Sequence, residues 1–158
     1  MTKQITIKSG EFGEFTKVIN VVVQEAWYSI EQCKANPRSI YVFGDNLLRV
    51  GEAGQASIRS CNNAIGIATK KKPSMLESSF FSDKEYDKLE PFLKKEMDKI
   101  VSIMFSDNVD ILVFPKDGLG TGLSKLPQKA PKVFLALSAL LYKTFGIVTD
   151  QKTYKLSI

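Results

Sequence analysis

Two short stretches, IYVF at residues 40–43 and DILVF at residues 110–114, run through apolar side chains without the alternation of a half-exposed strand. Successive side chains of a strand point to opposite faces of its sheet, so a strand with one wet face reads polar, apolar, polar. Unbroken runs of aromatic and β-branched residues therefore predict central strands covered on both faces by helices. Further β-type runs occur at residues 4–8, 18–24, 64–67 and 152–157. Turn-rich or helical segments separate them.

The helical signals fall between these strands. The first covers residues 25–35 and ends before Asn36-Pro37, and a short one follows at residues 54–61. Ser82-Asp83-Lys84-Glu85 has the form of a capping box, after which Tyr86, Leu89, Leu93, Met97, Ile100, Val101 and Met104 recur at helical spacing. Pro91 inside that stripe predicts a kink or two consecutive helices. A last helix opens at Pro131, turns Val133, Phe134, Leu137, Leu140 and Leu141 inward, and stops at Gly146. Strands alternating with helices predict a three-layer α/β/α fold with a mixed central sheet. At 158 residues the chain suits one domain over 1–158, with its motif-bearing part at about 38–146.

Composition narrows the chemistry. The chain has no His and two Cys, Cys33 and Cys61, so no metal site and no cofactor is expected. Ser-His-Asp and Cys-His catalysis are excluded, which leaves Asp, Glu, Lys, Tyr or bound water for acid–base work. No stretch approaches the ~18 apolar residues of a membrane span, and the start MTKQITIKSGEFGEF lacks a signal region; no membrane partner and a cytoplasmic location are expected. A net charge of +5 suits an anionic partner, although it is also ordinary solubilising charge.

In α/β sheets ligands bind beyond the carboxyl ends of the central strands. Both apolar runs lead there into glycine-rich loops, FGDNLLRVGEAGQA and PKDGLGTGLSKLP, which predicts one pocket between them. The second loop supplies Asp117, Gly118, Leu119, Gly120, Thr121 and Gly122. Glycines let backbone N–H groups approach a phosphate, often at positive φ. The spacing fits neither the Walker loop nor the dinucleotide fingerprint, and a tight strand-to-helix connection is the plain structural alternative. In the first loop, Gly44, Asp45, Asn46, Gly54 and Gln55 are candidates for the phosphate, ribose or base of a ligand. Asp45 would otherwise cap a turn, and Gln55 with Arg59 would form a polar helix face. The tract TKKKPS at residues 69–74 puts Lys70 and Lys71 at the exit of another strand, as ligand contacts or as a solvated charge run.

From about residue 40 to 141, the order of GDNLLRVGEAGQA, NAIGIATKKKPSM and VDILVFPKDGLGTGLSKLP resembles the macro-domain superfamily, α/β/α domains that bind ADP-ribose. The elements FGDNL, GQA, TK and PKDGLGTGL also resemble those of small bacterial and phage proteins. The resemblance implies a nucleotide ligand of the ADP-ribose class, with residues 118–122 around the diphosphate, Asn46 at a ribose and Asp45 at a base amine or ribose. By layout it is similar to ADP-ribosylhydrolases that use a Lys after the middle strand, here Lys70 or Lys71, and an Asp in the second glycine loop. Ser124 occupies that Asp position, and Asp117 lies earlier in the loop. Asp117, Lys71 and Asp45 are thus the catalytic candidates if the glycosidic bond is cleaved. Two alternatives stand beside this: a non-catalytic sponge or reader of a nucleotide signal in phage–host conflict, and nucleic-acid binding through the Lys-rich surface with Tyr28, Phe80 or Phe81 as exposed aromatics. Oligomeric state is left open.

Overall fold

In a computed structural model describing residues 2–10 and 12–157, the two apolar runs lie side by side at the middle of a sheet. In chain order the strands are β1 (Thr2–Ser9), β2 (Phe15–Gln24), β3 (Ser39–Asn46), β4 (Ala64–Lys70) and β5 (Ile111–Pro115). Their spatial order is β1-β2-β5-β3-β4, with β1 antiparallel to β2 and the other pairs parallel. The sheet is therefore mixed and the architecture α/β. Ile40 pairs with Leu112 and Tyr41 with Val113, which sets the two runs in register.

Both faces of those strands are covered, which is why their sequences do not alternate. Ile40, Val42, Leu112 and Phe114 join the larger core with helices α2 (Tyr86–Met104) and α4 (Pro131–Phe145). Tyr41, Phe43 and Val113 face the other way, against Tyr28, Cys33 of helix α1 (Ile30–Ala35), and Ala56 and Ile58 of a 3-10 turn at Gly54–Ile58.

Several boundaries differ from the sequence expectation. Helix α1 begins at Ile30 rather than residue 25, because the Ser29 side chain accepts the Gln32 N–H at 3.1 Å and fixes the start there. The turn after Gly54 is 3-10 and shorter than expected. Ser82 caps a separate 3-10 turn at Asp83–Glu85, and α2 then runs through Pro91 as one helix. Pro91 stands in the second turn, so the carbonyl it leaves without a helical donor is that of Asp87, an exposed residue that water reaches. Helix α4 ends as expected, with Gly146 at φ 70° donating to the Tyr142 carbonyl. Two elements went unforeseen: the four-residue helix α3 (Leu126–Lys129), and a strand β6 (Ile147–Asp150) that pairs with β7 (Thr153–Leu156) as a separate hairpin. Strands β3 and β4 also run three residues beyond their predicted ends, so Gly44, Asp45, Asn46 and Lys70 are strand residues.

Among the described residues no helix is long and apolar enough to cross a membrane.

Candidate functional site

The chain leaves β3 toward the face holding the Gly54–Ile58 turn and leaves β5 toward the face holding α4. Neighbouring parallel strands whose exits diverge in this way open a crevice at their carboxyl ends. Their pairing stops at Tyr41 and Val113, and the Tyr28 hydroxyl enters the fork, 2.9 Å from the Val42 carbonyl oxygen and 3.3 Å from that of Val113. Burial pushes the Tyr28 pKa well above that of an ordinary tyrosine, so the hydroxyl stays a donor there. In the crevice lies an open cavity of about 610 Å³, walled by both glycine-rich loops as the sequence implied.

The second loop is held tightly from behind. Gly118 and Gly120 adopt φ of 86° and 75°, and a Cβ on Gly120 would stand 3.0 Å from the Cβ atoms of Thr69 and Leu126. Gly44 serves the same contact from the strand side, since a Cβ there would lie 3.3 Å from the Gly120 nitrogen. The Leu126 N–H donates to the Gly120 carbonyl at 2.8 Å, and the Ser124 and Thr69 hydroxyls pair at 2.8 Å. Thr69 is the extra residue of a bulge opposite Asp45 and Asn46, so the irregularity in β4 aims its hydroxyl at the loop. Leu119, a ligand candidate by sequence, points into the core and donates its N–H to the Tyr154 hydroxyl at 3.0 Å. It positions the loop from within. Thr121 donates its hydroxyl to the Asp117 carbonyl.

The front of the loop is different. The N–H groups of Gly120, Thr121, Gly122, Leu123 and Ser124 have no acceptor among the described residues, and all five residues wall the cavity. Consecutive backbone donors in a concave turn form an anion-binding surface. Lys152, from the β6–β7 hairpin, also walls this cavity, and Asp117 is the sole carboxylate there among the described residues, engaged in no ion pair.

The first loop is organised around a buried charge cluster. The Arg59 guanidinium donates to Asp45 Oδ1 at 2.6 Å and Oδ2 at 2.9 Å, and the Asn46 N–H reaches Oδ1 at 2.8 Å. Arg49 approaches the same carboxylate at 3.5 Å and bridges to both oxygens of Glu96 on α2 at 3.1 Å. Asp45 therefore anchors the loop rather than presenting free oxygens to a ligand. Asn46 donates to the Val50 carbonyl at 2.8 Å, while its buried Oδ1 has no partner among the described residues. Lys70 is buried beside it, donating to the Ser74 carbonyl at 2.9 Å with its ammonium over the Phe80 ring. Desolvation, and then Lys125, lower the Lys70 pKa. Asp45, Asn46 and Lys70 wall a smaller cavity of about 90 Å³ that shares Gly44, Ala53, Leu123 and Ser124 with the large one. Lys71 lies outside both cavities and pairs with Glu85 at 2.9 Å.

Gln55 walls the large cavity, but its Oε1 accepts the Tyr28 N–H at 2.9 Å. Gly54 supplies φ of 60° and a bare surface next to Trp27, an exposed indole on the cavity wall that sequence reasoning missed. The overlooked signal is Ser29-x-x-Gln32, a capping pattern that ends the irregular segment after Trp27 and starts the helix beyond it. Lys152 and Thr153 were missed because the β6–β7 hairpin was read as a lone strand. Tyr28, Phe80 and Phe81, the aromatics expected on an exposed nucleic-acid surface, are all buried; Phe81 and Tyr28 join the two cores, and the Phe80 ring lies under the Lys70 and Lys129 ammonium groups.

The model of a family of unknown function, DUF7831, matches residues 23–140, most of the chain and both glycine-rich loops. The chain belongs to that family. The DUF7831 match begins within β2 and ends within α4, so the hairpin that carries Tyr154 and Lys152 lies beyond it. No curated protein and no solved structure matches the chain.

Proposed function

We propose that the cleft binds ADP-ribose or a related nucleotide diphosphate, in the manner of a macro-domain-like fold. The observation that carries this reading is the row of five unpartnered N–H groups at residues 120–124, in a loop held rigid by Leu119, Thr69 and Leu126. Donors fixed before a ligand arrives need no reorganisation, and hydrogen bonds to a charged oxygen are about twice as strong as neutral ones. Lys152 favours the same anion. A nucleotide of this size also suits a cavity of about 610 Å³.

The placement of the catalytic candidates favours a reader over a hydrolase. Asp45 is saturated by Arg59, Arg49 and Asn46, and Lys71 is paired with Glu85. Asp117 is left as the one carboxylate able to polarise water or a ribose hydroxyl, and Lys70 reaches the smaller cavity rather than the large one. Burial of the three expected aromatics withdraws support from single-stranded nucleic acid as the ligand.

Gly122 gives the cleanest test, because a Cβ there meets nothing within 4 Å and the residue is not at positive φ. Gly122→Glu should keep the melting temperature of the parent and abolish ADP-ribose binding in titration calorimetry. Unchanged affinity would sink the assignment. Chromatography of the ligand after long incubation separates the two modes: recovery of intact ADP-ribose supports a reader, and a product that disappears in Asp117→Asn supports turnover.

A further inference from the structure

Trp27 is the only tryptophan of the chain, and 63% of it is exposed. A large apolar ring left in water is unfavourable, so its placement asks for an explanation. It is not on a loose segment. The next residue, Tyr28, is 4% exposed and is held by its N–H to Gln55 and by its hydroxyl in the β3–β5 fork. On the preceding side the Gln24 side-chain amide donates to the Ala26 carbonyl at 2.9 Å. The indole edge rests near Gly54, where an added Cβ would stand 3.5 Å from the ring. The segment is thus anchored on both sides, while most of the indole remains uncovered on the wall of the cavity that holds the phosphate-directed loop.

We infer that Trp27 is the stacking platform for the base of the bound nucleotide and that Gln55 reads the edge of that base. This rests on the proposed use of residues 120–124 as the phosphate cradle. A cavity with an aromatic plate and a row of anion donors fits a molecule that is planar at one end and anionic at the other, which describes a nucleotide and not a bare sugar phosphate. The Gln55 amide has a fixed sense, because its Oε1 must face the Tyr28 N–H. Its Nε2 has no acceptor among the described residues and is a donor on the cavity wall, complementary to a ring nitrogen or carbonyl of a base.

Because Trp27 is the sole tryptophan, intrinsic fluorescence reports directly on its face. ADP-ribose and ADP should change the emission on titration, whereas inorganic pyrophosphate and ribose 5-phosphate should leave it near its starting value. By calorimetry, Trp27→Ala should weaken ADP-ribose binding about ten- to a hundredfold, the range of a base–aromatic stack, and leave pyrophosphate affinity unchanged. Trp27→Phe should restore most of the loss. Full ADP-ribose affinity in Trp27→Ala would overturn the inference, as would wild-type protein that binds ADP-ribose no more tightly than pyrophosphate; in both cases the cradle reading survives. If neither ligand binds the wild type, the cradle reading fails and this inference fails with it.

Discussion

Replacing Asp45 by Asn should cost the protein more in stability than in chemistry. The carboxylate is buried and takes three hydrogen bonds of 2.6 to 2.9 Å, two of them from Arg59. In the amide one of these acceptors becomes a donor facing a guanidinium, which leaves a buried cation without its counter-charge. Breaking a buried pair typically costs about 3–5 kcal/mol. The figure is lower here, because the Arg59 side chain is 20% exposed and keeps the carbonyls of Gly51 at 2.7 Å and Val50 at 3.1 Å. A loss of about 2–4 kcal/mol follows, or a fall in melting temperature of roughly 5–12 °C for a chain of this length. Urea denaturation gives the free energy, and a double-mutant cycle with Arg59→Gln isolates the pair: the two losses should fall short of additivity by about 1 kcal/mol or more. A loss under about 0.5 kcal/mol, the size of an ordinary surface change, would refute the view that this cluster anchors the loop. Wild-type stability together with lost cleavage of a nucleotide would return Asp45 to a catalytic role.

Two further outcomes follow from the same geometry. Gly120→Ala should destabilise by about 1–3 kcal/mol, since positive φ and close contacts with Thr69 and Leu126 both oppose a side chain, whereas Gly122→Ala should stay within about 0.5 kcal/mol in thermal melts. Tyr154→Phe should cost about 1–3 kcal/mol by stranding the Leu119 N–H, and it should also change the alkaline limit of stability. Burial raises the Tyr154 and Tyr28 pKa values above the unfolded value near 10.0, so their contribution is complete below that pH and is lost as pH rises beyond it. The fall of stability above pH ~10 should therefore be shallower in Tyr154→Phe, by up to about 1.4 kcal/mol per pH unit; an identical slope would contradict this.

What the sequence disclosed was set by how local each signal was. The central strands were legible because IYVF and ILVF state their two-sided burial in four residues each, and α4 because Pro131 and Gly146 mark both of its ends. The shared cavity followed from strand exits alone. The state of Asp45 did not, since Arg49 and Arg59 reach it only after β3 and the Gly54–Ile58 turn are in place. Lys70 and Lys71 are adjacent in sequence, yet Lys70 closes β4 and is buried, whereas Lys71 lies just past the strand end and pairs with Glu85. Trp27 was hidden by a helix drawn five residues too long, and the hairpin by a strand whose partner lies in the four residues after Gly146.

The hydrogen bond from Leu119 to Tyr154 also bears on the order in which the protein matures. A chain emerging from its N-terminus has every strand of the central sheet once Pro115 is out, and both glycine-rich loops ten residues later. The second loop still lacks its backing, because the hydroxyl that fixes Leu119 arrives with the β6–β7 hairpin, as does Lys152. That loop can therefore take its final form only after the hairpin has been made. A chain cut short after α4 would keep the sheet and both helices of its larger core while leaving the second glycine-rich loop unlatched.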